Sequence, residues 1–506
     1  FTKELIIILI HSLICDNESN AGEHNDLLIQ QITPQVIDID SEDKHEEAVE
    51  EYPEGDSCVV CKKPYDSTLF WCAECCPKRL QDDFPNWTSG KKELDECIRR
   101  NQLNAVGHKN YFEWIPFERF TDIKKIGEGG FGIVYSAIWI DGPKWKWDNE
   151  RLKWVASGPR KIAFKTLKRN AMFKEFLNEL ECHSLCVSVR RIVHCFGVTR
   201  EPKTGYYMMV TNFANEGDLN SYIKKRHQDL NWERIIRLSR DIAKALRGLH
   251  REGLIHRDLH SGNILNHVTC NGITWTWLAD LGLCVKEEDV ARLVMENGPL
   301  FGKIGYMAPE VLRRIEIYTR AADVYSFGMI LWELTSCRMP FSNMRQDVHL
   351  MYEIIDGKRP KIVEGTPPAF AKLIEDCWQT DPNLRPTMET VHKRIWSFAN
   401  SMIKGNRKDR YGFRAAEEKR SLILSKMAYP EVINSQQIFL RPRPLARRFN
   451  QSENIFRQNL LIKSNNDHIG SHEYSCAIDS HANVNSRCSP KFEDTSNSLI
   501  TPRMIA

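Results

Sequence analysis

The stretch His256-Arg257-Asp258-Leu259-His260-Ser261-Gly262-Asn263-Ile264-Leu265 sets an aspartate and an asparagine five positions apart on what reads as one short loop. A carboxylate in such a loop offers an acceptor for a hydroxyl hydrogen, and a carboxamide offers a neutral, hard oxygen for a divalent cation. Downstream, Asp280 in Asp280-Leu281-Gly282 closes an apolar, tryptophan-rich run over 273–279, so a second oxygen ligand stands at the end of an expected strand. Two hard ligands and a proton acceptor suit the transfer of a phosphoryl group from a nucleotide, where positioning and charge neutralisation do most of the work. The cation such a set favours is Mg2+.

Upstream, Ile126-Gly127-Glu128-Gly129-Gly130-Phe131-Gly132-Ile133-Val134 carries Gly-x-Gly-x-x-Gly between strand-forming residues. Absent side chains there let backbone amides approach phosphates. A plain turn has the same composition, and a dinucleotide-binding fold uses the same spacing with a helix directly after it. Here 133–139, Ile-Val-Tyr-Ser-Ala-Ile-Trp, reads as a second strand, which favours a hairpin over the phosphates. Lys165 ends the apolar strand 161–165, where its ammonium would serve the α- and β-phosphates. Phe176, Leu177 and Leu180 predict a helix over Phe173–Leu185. That helix offers Glu175, Glu179 and Glu181 as ion-pair partners; the context Phe-Leu-Asn-Glu selects Glu179, with Glu175 the alternative.

With these motifs in this order, and with Ala308-Pro309-Glu310, Asp323-Val324-Tyr325-Ser326-Phe327-Gly328, Cys377-Trp378 and Leu384-Arg385-Pro386 after them, residues 120–398 resemble a eukaryotic protein kinase domain. The chain is most similar to the tyrosine kinase-like group, especially fungal members with Trp-Ile-Pro-Phe-Glu-Arg-Phe entries (114–120 here) and His-Arg-Asp-x-His-Ser-Gly-Asn loops. The resemblance implies an α+β bilobal fold: a five-stranded antiparallel N-lobe sheet with one helix, a hinge near 212–218, and a mainly helical C-lobe. It implies ATP and Mg2+ as cofactors and protein substrates as partners. Asp258 would orient the hydroxyl, Lys165 and Glu179 the phosphates, and Asn263 and Asp280 would hold Mg2+. The nucleotide would meet residues 126–134, Ala163, Lys165, Thr211 as gatekeeper, the backbone near Asn212 and Ala214, and Leu265. Glu310 would pair with Arg385, and Asp323 would hold the catalytic-loop backbone. Leu281, in place of the usual phenylalanine, exchanges one large apolar side chain for another.

Two departures bear on the hydroxyl acceptor. His260 stands where serine/threonine kinases usually carry lysine, and Lys303 where a threonine usually precedes the run ending in Ala308-Pro309-Glu310. The expected activity is ATP-dependent phosphorylation of serine or threonine, with tyrosine open. The alternatives are a pseudokinase scaffold, against which the retained Lys165, Asp258 and Asp280 speak, and an adaptor acting through a cysteine module. The segment 283–305 contains no serine, threonine or tyrosine, so phosphorylation inside it is chemically impossible. Arg257 commonly receives that phosphate in the family. Glu287, Glu288 or Asp289 is the expected substitute anion, with a solvated acidic turn as the plainer reading.

The flanks divide into 1–54, 55–105 and 401–506. The first is an acidic linker after the short apolar run Leu5-Ile6-Ile7-Ile8-Leu9-Ile10, too short to span a bilayer. The chain opens on Phe1 rather than methionine, which fits a fragment. No stable membrane span and a cytoplasmic location are expected, the sixteen cysteines being spread as in a reducing compartment. A net charge of +3 over 506 residues does not call for nucleic-acid binding. Within 55–105, Cys58-x-x-Cys61 and Cys72-x-x-Cys75 have the spacing of a structural Zn2+ site, with Cys76 a spare and free thiols the plainer reading. So small a module lacks a convincing core without metal. A lead-in helix is expected over 94–103, and the insertion 141–160, with Trp145, Trp147 and Trp154, reads as a lengthened hairpin. The last segment reads as a basic, polar, mostly disordered tail whose Arg441-Pro442-Arg443-Pro444 would attract docking partners.

Overall fold

Alternation of apolar and polar residues builds the first sheet. Strands β2 (Phe120–Glu128), β3 (Ile133–Trp139), β6 (Arg160–Thr166), β7 (Cys195–Arg200) and β8 (Tyr207–Asn212) run antiparallel. Their inward side chains, Ala137, Trp139, Ile162, Phe164, Phe196 and Val210 among them, form one core, with the Phe120 and Phe164 rings edge to face at 4.7 Å. The computed structural model describes residues 57–58, 60–63, 71–128, 132–148, 153–166, 173–290, 302–313, 318–403 and 412–426. The apolar start, the acidic linker, Gly129, Gly130, Phe131 and the arginine-proline run lie outside the described residues.

The sheet differs from the five-stranded expectation by a sixth strand. β1 (Glu113–Trp114) pairs parallel with β7, giving the order β1-β7-β8-β6-β3-β2. A two-residue strand carries too little periodicity to be read from sequence, but its partner is marked: Gly197 has φ +149°, and a Cβ there would stand 1.9 Å from the Glu113 carbonyl oxygen. Only glycine lets the strand approach so closely. The insertion forms the expected hairpin, β4 (Lys146–Asp148) with β5 (Lys153–Val155), and Trp145 at its base packs 5.4 Å from the Phe196 ring, beneath the Arg160 guanidinium.

Three helices accompany this lobe: α1 (Cys75–Asp82), α2 (Lys92–Leu103) and α3 (Phe173–Leu185). Leu94, Cys97 and Ile98 sit at i, i+3 and i+4 on α2, the spacing of one helical face. They share a core with Phe176 and Leu180 of α3 and with Val198, Tyr207 and Met209 of the sheet. The lead-in helix is thus part of the N-lobe. Tyr111, beyond the cysteine module, packs on its apolar cluster of Cys58, Trp71, Cys72, Cys76 and Ala105.

The second lobe is helical. It comprises α4 (Leu219–Arg226), α5 (Trp232–Arg251), α6 (Pro309–Arg313), α7 (Arg320–Ser336), α8 (Val348–Ile355), α9 (Pro368–Cys377), α10 (Met388–Ile403) and α11 (Phe413–Lys426). Asp218 and Asn231 cap α4 and α5 by accepting from the Ser221 and Arg234 N–H groups. Short strands β9 (Gly217–Asp218), β11 (Ile264–Val268) and β12 (Thr274–Leu278) make a sheet that carries the catalytic loop, and β10 (Leu254–Ile255) pairs with β13 (Val285–Lys286).

Within 401–506, which reads as a mostly disordered tail, the described residues include helix α11, which packs on the second lobe. Arg420 is buried and donates to the carbonyls of Leu230 (2.6 Å), Thr335 (2.8 Å) and Leu334 (3.3 Å), while Glu417 accepts from the Trp232 N–H at 2.7 Å. Thr335 and Leu334 lie in the last turn of α7, whose carbonyls have no partner within the helix. Arg420 therefore serves as the plug for a helix end. Among the described residues, no helix is long and apolar enough to cross a membrane.

Candidate active site

Lys165 on β6 stands opposite Val134 of β3, behind the glycine-rich hairpin. Its Nζ donates to Glu179 Oε1 and Oε2 of α3 at 2.7 and 2.9 Å and to Asp280 Oδ1 at 2.7 Å. Glu179 is the partner that the sequence favours; Glu175 is exposed. Burial disfavours charge on Lys165, but the carboxylates of Asp280 and Glu179 outweigh it and hold the ammonium above the usual lysine range. Burial likewise pushes Asp280 up, yet Lys165 outweighs it and keeps this carboxylate below its ordinary value. At Glu179 burial prevails and the carboxyl lies above its ordinary value. Sequence reasoning missed Asn178, whose amide donates to the carbonyls of Gly282 (3.4 Å) and Cys284 (3.0 Å) and ties α3 to the Asp280 loop. Its only signal is its place directly before Glu179.

Asp258 and Asn263 come together as expected. The Asn263 amide nitrogen donates to the Asp258 carbonyl at 2.8 Å and to its Oδ2 at 3.2 Å, which leaves the amide oxygen for a ligand. The loop is held from below by buried Asp323, which accepts from the backbone N–H groups of His256 (2.8 Å) and Arg257 (3.0 Å) and from His250 Nε2 (3.0 Å). Arg257 and Asp280 have φ of 69° and 61°, a left-handed conformation costly for side chains with a Cβ. The Asp323 hydrogen bonds offset that cost at Arg257. Farther down, Arg385 makes a bidentate pair with Glu310 at 2.6 and 2.7 Å, as expected for a buried brace.

The acceptor side has its own chemistry. His260 Nδ1 accepts from the Gly262 N–H at 3.0 Å, so its proton lies on Nε2, 3.6 Å from Asp258 Oδ2. A Cβ at Gly262 would meet the His260 ring at 2.9 Å and Lys303 Nζ at 3.1 Å, so imidazole and ammonium border the same space. Tyr306 is buried, its hydroxyl donating to Glu333 Oε2 at 2.7 Å and lying 3.1 Å from Ser261 Oγ. Glu287 pairs with Arg320 and Glu288 with Lys286, whereas the Arg257 guanidinium lies 4.9 Å over the Tyr318 ring and donates to the Leu283 carbonyl. An arginine on an aromatic face keeps its charge with less demand for a counter-ion.

The described residues that the sequence assigns to the nucleotide lie on β2, β3, β6, β8 and β11 or next to their ends. Ile126, Gly127 and Glu128 end β2, and Ile133 and Val134 begin β3. Gly132 lies against Thr166, where a Cβ would stand 2.0 Å from the carbonyl oxygen. Ala163 on β6 is paired with buried Thr211 on β8; Asn212 ends that strand, Ala214 follows, and Leu265 on β11 faces Asp218 in register.

Away from the cleft, the sulfurs of Cys58, Cys61, Cys72 and Cys75 all lie within 4.8 Å of one another. Cys58 and Cys75 are 3.9 Å apart and Cys61 and Cys72 3.6 Å. Cys76 is not one of the four; its sulfur accepts from the Cys72 N–H.

A lysine braced by a helix glutamate, a loop aspartate with its asparagine, and a second aspartate at the lysine make the set of groups that a nucleotide-dependent phosphotransferase needs. The description "Protein tyrosine and serine/threonine kinase" matches residues 120–395, more than half of the chain, and the chain belongs to that family. It is 30% identical over 292 residues to a probable serine/threonine-protein kinase, pats1, of Dictyostelium discoideum, covering 57% of this chain and 9% of that one. Two Arabidopsis thaliana proteins also match: serine/threonine/tyrosine-protein kinase HT1, 34% identical over 202 residues (40% of this chain, 49% of that one), and serine/threonine-protein kinase STY17, 29% over 311 residues (59% and 48%). These relatives are of the tyrosine kinase-like type. The chain spans about half of the plant relatives and under a tenth of the amoebal one.

Proposed function

We propose that this chain is an active protein kinase that transfers the γ-phosphoryl group of ATP to serine or threonine hydroxyls of protein substrates. The observation that carries the reading is the bridge from Lys165 Nζ to both Glu179 and Asp280, because it assembles the phosphate-binding charges of both lobes at one point. Asp258 accepts the hydrogen of the incoming hydroxyl and turns its oxygen toward the phosphorus. Lys165 holds the phosphates, and Glu179 and Asp280 hold Lys165. Asn263 and Asp280 fit a divalent cation: the Asn263 amide nitrogen is occupied by Asp258, so its oxygen is the free donor, and the depressed Asp280 carboxyl stays ionised. Mg2+ at these oxygens would neutralise charge on the phosphates. At the acceptor side, the cation usual at position 260 has moved to Lys303, beside a His260 whose Nε2–H faces Asp258. Four thiolates at Cys58, Cys61, Cys72 and Cys75 suit Zn2+ in a closed structural site. A supply of ATP and reduced thiols sets this activity in the cytoplasm.

The test is phosphoryl transfer from ATP with Mg2+ by the full chain, beside Asp258→Ala and Lys165→Met, with phosphoamino-acid analysis of the product. Loss of roughly 10²-fold or more in either variant supports the reading. Phosphotyrosine as the main product would replace the serine/threonine assignment. ATP binding with no turnover in the parent chain would sink catalysis and leave a scaffold.

A further inference from the structure

Four sulfurs each about 2.3 Å from a central ion lie about 3.8 Å apart in a tetrahedron. The separations of 3.9 and 3.6 Å for Cys58–Cys75 and Cys61–Cys72 match that edge. The cluster is bolted to the lobe that carries the phosphate-binding charges. Cys75 is itself the first residue of α1, which packs on α2. Trp71, one residue before Cys72, donates from its indole N–H to the Ala105 carbonyl just beyond α2 at 3.2 Å, and its ring lies 6.0 Å from that of Tyr111. Metal and thiols thus fix both ends of the unit that contains α2.

The other face of α2 lies on α3, the helix of Glu179. Ile98 shares a core with Phe176 and Leu180, the latter adjacent to Glu179 in sequence. Asn101 donates from its amide nitrogen to Ser184 Oγ at 2.9 Å. We infer that the four-cysteine site binds Zn2+ and that its occupancy holds α3 in the position where Glu179 meets Lys165, so that metal loading sets kinase activity at a distance. The inference rests on the kinase reading for its consequence, but the helix position is measurable without turnover. The peptide 57–76 is only twenty residues long, too short to hold its order by burial alone, and a module this small loses that order with its metal. α2 then loses its anchor at Ala105, and α3 its outer support.

The experiment uses the full chain, with zinc content by elemental analysis, hydrogen exchange at α3 and at α7, and phosphoryl transfer with Mg2+ in excess. These are read before and after removal of zinc by 1,10-phenanthroline and again after addition of zinc alone. The expected result is one zinc per chain, faster exchange over Phe173–Leu185 on its removal with α7 unchanged, a fall of roughly tenfold or more in turnover, and recovery of all three with zinc. Cys61→Ser should behave as the stripped chain does, and unaltered exchange at α7 separates this from global unfolding. A chain that takes up no stoichiometric zinc overturns the inference, as does bound zinc whose removal leaves exchange at α3 unchanged. If the zinc-loaded chain transfers no phosphoryl group while α3 still responds to metal, the kinase reading fails and the brace stands.

Discussion

Residues 57–114 meet the N-lobe through an apolar face, Leu94, Cys97 and Ile98 against Phe176 and Leu180, flanked by the β1–β7 pairing and the Asn101–Ser184 hydrogen bond, whereas α11 meets the C-lobe with the Arg420 guanidinium on three carbonyls, the Glu417 carboxylate on one N–H and Phe413 against Trp232. Apolar contact is non-directional and tolerates sliding; hydrogen bonds to fixed carbonyls tolerate little. The apolar part of the contact on α3 can therefore give way once its anchors are lost, whereas α11 suits a static cap. In both cases a chain outside the conserved-looking motif set completes a lobe.

The largest effect should come from the apolar contact. Ile98→Ala empties a fully buried site between α2 and α3 and should destabilise by about 2–5 kcal/mol, read as a lower denaturation midpoint, with turnover of the remaining folded protein also reduced. Normal turnover per folded molecule would break the distinction. Arg420→Met should cost about 1–3 kcal/mol, because buried carbonyls lose their donor, while turnover per folded molecule stays level. A fall in turnover there would show that the cap is not static. The third test is of pH. Burial pushes buried His183 of α3 down from 6.5 to about 3. Between those values the unfolded chain binds a proton that the folded chain refuses, so this contribution is fully present above about pH 6.5 and is lost as pH falls, at about 1.4 kcal/mol per pH unit. Thermal melts of His183→Leu should show a shallower acid decline, and an equal decline would exclude this histidine. The smallest effect belongs to Arg100→Ala, since its exposed pair with Glu181 at 3.6 Å should contribute under about 0.5 kcal/mol in a melt.

Most of the candidate site's geometry was legible because its residues lie in short, ordered motifs: Asp258 and Asn263 are five apart on one loop, and Lys165 ends an apolar strand. The Lys165–Glu179 pairing needed only a helix of the right phase. What escaped depends on long-range packing. β1 is two residues long, and its evidence lies at Gly197. Arg420 reads as solvent-facing because sequence does not reveal that the carbonyls at the end of α7 stand open to receive it. Sequence likewise does not reveal that Tyr318, sixty-one residues on, takes the Arg257 guanidinium on its ring.

Gly197 also gives a way to recognise this architecture elsewhere. Because the Glu113 carbonyl fills the space that any Cβ at 197 would need, the entering chain and that glycine have to be inherited together. A related sequence with alanine or larger at the equivalent position is expected to lack the sixth strand, because its Cβ would meet the carbonyl of the entering chain. One letter in the middle of the domain thus reports on the strand that enters it.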